Sequence, residues 1–134
     1  MTIVLDASAA IEIALNLENA KIFKDLINES SLVLAPNFYP VEITNVFWKY
    51  CKFGNLVEEK CKIGINCCID LIDDFIDIKH MCGEVFTQSK LNQHPAYDMF
   101  YLVLARRESA ILLSKDKKLL KVAKDMKINC NGNG

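Results

Sequence analysis

The chain has 134 residues, 51% of them hydrophobic and 25% charged, with a formal net charge of −1. That length suits one domain, and that composition supplies a sizeable core, which excludes a disordered chain and a uniformly basic nucleic-acid clamp. No basic start leads into an apolar leader, and charge interrupts every apolar run short of the ~20 residues a membrane span needs, so a cytoplasmic protein is expected.

Residues 2–5 are a short β-branched apolar run ending at Asp6, and residues 7–15 have helical composition with Ser8 near their start. This reads as a strand passing into a helix. A second helix is expected over 18–29, and the apolar run 32–35, stopped by Pro36, suits a buried strand. Residues 38–53 form a helix that tolerates Pro40 in its first turn. Its apolar residues, among them Val41, Trp48, Tyr50 and Phe53, exceed one amphipathic stripe and predict contact with both the core and a partner. Further along come a helix over 56–72, a short strand over 75–78 and a helix over 81–91. After the punctuation of His94-Pro95, an apolar helix spans 96–107 and a strand 110–113. A last helix covers 116–126, Ile128 is expected to begin a short edge strand, and residues 129–134 are expected to fray.

Strands alternating with helices imply right-handed crossovers, hence a three-layer α/β/α sandwich around a mostly parallel sheet of four or five strands. The six cysteines (Cys51, Cys61, Cys67, Cys68, Cys82 and Cys130) form no C-x-x-C pair and have no histidines at zinc-finger spacing, so they read as buried thiols. Between Arg106 and Lys127 there are eight basic residues against three acids. Arg106, Lys115 and Lys117 within that stretch are candidate phosphate contacts.

In such a sheet the strand C-termini and the following helix N-termini share one edge, where ligands bind. Asp6 ends the first strand, Glu42 lies early in the helix after the second, Asp98 starts the apolar helix, and Asp116 follows the last strand. Each alone could cap a helix or oppose its dipole. Together they would resist folding, because carboxylates ~4 Å apart repel by roughly 4 kcal/mol at an effective dielectric of 20. A divalent cation relieves that repulsion. Oxygen ligands without histidine or cysteine favour Mg2+ or Mn2+, and phosphodiester hydrolysis is the matching chemistry.

These motifs resemble those of PIN domains, particularly the VapC-type toxins of bacterial toxin–antitoxin pairs. Ile3-Val4-Leu5-Asp6-Ala7-Ser8 resembles the opening strand and first acid, and Pro36 through Glu42 to Asn45 the helix-borne glutamate followed by asparagine. Tyr97-Asp98 with Tyr101 and Leu104-Ala105 is similar to the third motif, and Leu113-Ser114-Lys115-Asp116 to the fourth. Ser114 stands where threonine is more usual, and Lys118 where some members carry another acid, which puts a second metal site in doubt. The resemblance implies a metal-dependent endoribonuclease, dimeric and blocked by a cognate antitoxin. It implies metal binding and water activation by Asp6, Glu42, Asp98 and Asp116, supported by Ser8, Asn45 and Ser114.

His94, four residues before Asp98, is a candidate substrate contact, but beside a proline it reads more readily as a loop residue, and His80 carries less weight still. Trp48 and its aromatic neighbours read as core or subunit interface rather than a base-stacking platform. Two other functions compete with the nuclease. One is a non-catalytic PIN-like binding or regulatory module. The other is a phosphoacceptor domain, which a helix-borne Glu42 and Asp98 fit poorly.

Overall fold

The computed structural model describes residues 1–131. Thr2–Leu5 forms β1, and Ala7–Ala14 and Ala20–Glu29 form α1 and α2. Leu32–Pro36 is β2, followed by α3 (Tyr39–Phe53) and α4 (Glu58–Asp70). Asp74–Ile76 is β3, and a 3-10 turn at Lys79–Met81 leads into α5 (Cys82–Asn92). Then come α6 (Ala96–Arg107), β4 (Ile111–Leu113) and α7 (Lys117–Asp125).

The four strands lie in the order β3-β2-β1-β4, every pair parallel. Ile3, Val4 and Leu5 point alternately to opposite faces, yet all are fully buried, so helices cover the sheet on both sides. The result is the expected three-layer α/β/α sandwich, with four strands. On one side α6 lies against β1 and β2 and carries α5 and α7; elsewhere α1 packs on α2, α3 and α4. The α3–α4 contact is close because α4 offers Gly64 there. A Cβ at that position would stand 2.5 Å from the buried ring of Phe47.

Most differences from the sequence reading are end effects. Strand β3 starts one residue early, at Asp74, and stops at Ile76 instead of 78. Helix α2 starts at Ala20 rather than 18, because the Asn19 backbone N–H is drawn to Glu12 Oε1 at 2.8 Å. The edge strand expected from Ile128 shrinks to one bridge between Cys130 and Leu112. Residues 129–131 of the expected frayed tail are nevertheless held: Leu112 N donates to Asn129 O at 2.9 Å, and Asn131 N to Leu112 O at 2.8 Å. Residues 132–134 of that tail lie outside the described residues. All six cysteines are free; Cys61, Cys68 and Cys130 are buried as expected, but Cys51 and Cys82 face solvent. No helix among the described residues is long and apolar enough to cross a membrane.

Candidate metal centre

The C-terminal ends of β1 and β4 and the starts of α1, α3, α6 and α7 enclose one cleft of about 520 Å³. Asp6, Glu42, Asp98 and Asp116 all line it. Asp6 extends the β1–β4 ladder, its N–H donating to Leu113 O at 3.1 Å, and its carboxylate caps α1 by accepting from Ala9 N at 3.0 Å. Asp116 caps α7, accepting from the N–H groups of Lys118 (3.0 Å) and Leu119 (3.2 Å). Capping and membership of the cleft therefore coexist in these two acids. Neither Glu42 nor Asp98 is a cap; the N-cap positions of α3 and α6 are Phe38 and Pro95.

Two of the three expected supporting residues tie the acids together. Ser8 Oγ donates to Asp6 Oδ1 at 2.7 Å and accepts from Lys115 N at 2.8 Å, 3.4 Å from Ser114 Oγ. Ser114 Oγ in turn accepts from Asp116 N at 3.0 Å. The third, Asn45, is exposed and lines a separate groove with Pro40, Val41, Thr44 and Trp48. The helical period explains this placement. Glu42, Val46 and Tyr50 recur every four residues and face the cleft, whereas Asn45 lies about 60° off that stripe.

Of the candidate phosphate contacts, only Lys115 reaches the cleft. Arg106 sits at the far end of α6 from Asp98, bound with Arg107 to Glu84. Lys117 lines other grooves with Leu120 and Asn131.

Four residues outside the expected set contribute. His94, expected as loop, is 8% exposed, and its Nε2 lies 2.9 Å from Asp98 Oδ2. His94, Asp98 and Asp116 each offer a ligand atom, all within 4.8 Å of one another, so the donor set is not purely oxygen. Glu12, 2% exposed, accepts from the Asn19 backbone and side chain and from Lys115 Nζ at 3.2 Å. Tyr101 Oη donates to Glu42 Oε1 at 2.5 Å. Asn131 clamps the loop before Asp116, its side chain bonding both Ser114 N and Ser114 O at 3.0 Å. The signals for two of these were local. His94 stands four residues before Asp98, and Glu12 is a lone acid inside the apolar stretch 9–13. The Lys115 partner of Glu12 and the Ser114 partner of Asn131 are distant in sequence and carry no sequence signal.

The electrostatics report excess negative charge. Burial pushes Asp6 up to about 6, against hydrogen bonds from Ser114, Ala9 and Ser8 that pull the other way. Burial also raises Glu42, with Asp6 and Asp98 adding repulsion and Tyr101 opposing. Asp98 is raised by burial and by Asp116, and partly relieved by His94. Glu12 is the exception: burial pushes it up, but the Asn19 N–H and Lys115 together hold it below the usual carboxylate range. Five carboxylates and one ammonium line the cleft, and that ammonium is paired to Glu12. Asp6, Glu42, Asp98 and Asp116 fit a hard divalent cation, whose charge would favour the ionised forms of Asp6, Glu42 and Asp98 that burial disfavours.

Residues 3–125 match the family model described as PIN domain. The fold is also similar to a crystal structure of PAE2754 from Pyrobaculum aerophilum. The TM-score is 0.73 at 18% identity, covering 91% of this chain and 87% of that one. No curated protein matches the chain.

Proposed function

The chain belongs to the PIN-domain family, and on that premise we propose that it is a Mg2+- or Mn2+-dependent endoribonuclease, the toxin of a VapBC-type pair. One observation carries the reading: acids from four remote segments, Asp6, Glu42, Asp98 and Asp116, line one cleft. A bound cation would supply Lewis-acid activation of the attacking water and neutralise charge on the scissile phosphate. Asp6, Glu42, Asp98 and Asp116 would hold it. Ser8 and Ser114 fix Asp6 and Asp116 relative to each other through the Lys115 and Asp116 N–H groups, and Tyr101 fixes Glu42. Such preorganisation matters because a displacement of about 1 Å can lower a rate roughly 100-fold. Lys115, at the cleft wall, is the contact for a substrate phosphate. The same reading makes the protein a cytoplasmic dimer blocked by an antitoxin. The exposed Val41, Trp48 and Phe53 on α3 suit a subunit or partner contact.

The test is cleavage of structured RNA by the purified protein with Mg2+ or Mn2+. Asp98→Asn and Asp116→Asn should each lower the rate by two orders of magnitude or more while preserving the far-UV spectrum, on the scale of lost electrostatic contacts at a reacting centre. Undiminished cleavage in both folded variants would reject the site. Manganese binding with no cleavage of any RNA would make the protein a non-catalytic module.

A further inference from the structure

Beside Asp98 and Asp116 stands one donor that a carboxylate centre does not call for, the Nε2 of His94. Its position is built by the chain around it. Helix α5 ends at Asn92, Gln93 then takes a left-handed conformation with φ 49, and His94 N donates to Ser89 O at 3.1 Å. Pro95 follows with its φ fixed by the ring and opens α6. The turn drives an imidazole inward at the first turn of α6, where its side chain is 6% exposed.

The spacing of the donors decides what that imidazole can do. Two ligands each ~2.1 Å from one ion stand ~3.0 Å apart when adjacent and ~4.2 Å apart when opposite. His94 Nε2 lies 2.9 Å from Asp98 Oδ2, and the ligand atoms of His94, Asp98 and Asp116 fall within 4.8 Å of one another. The three donors can therefore close on one cation with little movement. A buried imidazole placed only to steady Asp98 would not need to face Asp116 as well. Magnesium favours oxygen ligands, whereas first-row transition cations accept imidazole nitrogen readily.

We propose that His94 Nε2 ligates the same ion as Asp98 and Asp116, and that this nitrogen makes the site select manganese over magnesium. The inference rests on the metal-dependent reading above and adds to it a specificity residue. The tautomer with its proton on Nδ1 would leave the Nε2 lone pair for the ion, which His94 and Asp98 would then hold side by side.

The experiment uses untagged full-length protein and Mn2+ alone. Pulsed electron paramagnetic resonance of bound Mn2+ should show nitrogen modulation, which His94→Gln removes. Competition of Mg2+ against bound Mn2+ should give a Mn2+ preference that falls roughly tenfold or more in His94→Gln, with Mg2+ affinity little changed. Wild-type protein that binds Mn2+ without nitrogen modulation would overturn the proposal even if the variant failed to fold. So would an unchanged preference in a folded variant. Either result leaves the nuclease reading standing, whereas wild-type protein that binds neither ion would remove both.

Discussion

Replacing Asp6 with asparagine should stabilise the metal-free protein while destroying its use of metal. Asp6 is 5% exposed, and burial raises its carboxyl from 3.8 to about 6. Because the folded state holds the proton more tightly than the unfolded chain, the associated stability is fully present below about pH 4 and is lost as pH rises through about 6. The gap of about 2 pH units corresponds to about 3 kcal/mol. Asparagine retains an Oδ1 to accept from Ala9 N and Ser8 Oγ, and it caps helices about as well as aspartate. The variant should therefore gain about 1–3 kcal/mol at pH 8 in chelator, roughly 5–10 °C for a domain of this size. Its melting temperature should vary less between pH 4 and pH 8. Adding manganese at about 1,000 times its dissociation constant should return about 4.1 kcal/mol to the wild type and far less to the variant, reversing their order. Urea and thermal denaturation across that pH range, with and without Mn2+, measure all three effects. A variant less stable than wild type at pH 8 in chelator would refute the reasoning, since Asp6 would then be a satisfied cap and not a charge awaiting a cation.

Tyr101→Phe removes the donor 2.5 Å from Glu42 and should lower stability by about 1.5–3 kcal/mol at pH 8, together with Mn2+ affinity. Calorimetric titration of Mn2+ beside urea melts tests it, and unchanged affinity would mean that Glu42 is not positioned by Tyr101. Lys115→Ala should weaken binding of single-stranded RNA and lower the slope of log affinity against log salt by about 0.7, the value for one phosphate contact. Arg106→Ala should leave that slope unchanged, because Arg106 is bound to Glu84 away from the cleft; fluorescence anisotropy over a salt series separates the two. Trp48→Glu places a charge on the exposed apolar stripe of α3 and should halve the mass seen by light scattering if that stripe is the dimer contact. A variant that remains dimeric excludes that surface.

The fold was readable because its signals are local and repeat. Runs such as 2–5 and 32–35 are short, apolar and bounded by turn chemistry, and the intervening stretches carry helical composition, so alternation alone implied a covered parallel sheet. What misled was strength of pairing. Ile128 has the composition of an edge strand, yet only Cys130 completes a bridge to Leu112. Residues 129–131 looked free for lack of apolar pattern, but their hold on β4 is made by backbone groups and the Asn131 amide, which composition does not register.

The acids of the cleft were legible for a different reason: topology places the ends of β1 and β4 and the starts of α1, α3, α6 and α7 along one edge, so the convergence of their acids follows from element order. Residues that act through another residue lack that guide. Asn45 was assigned with its motif, but a helix turns it toward the groove lined by Trp48, so neighbourhood in sequence did not become neighbourhood at the site. Arg106 was grouped by charge, and Glu84, distant in sequence, captures it. His94 is the loop residue its sequence indicates, and it reaches Asp98 all the same. Beside Pro95 it has the sequence of a loop, but a loop that ends one helix and opens the next aims whatever it carries at the start of that second helix, where Asp98 stands. Glu12 is the most instructive, since a lone acid amid apolar neighbours on α1 must find a partner or resist burial, and Lys115 is that partner. Removing Glu12 would free the one ammonium lining a cleft that otherwise repels phosphate. The pair therefore sets where the cleft's positive charge sits as well as how α1 is held.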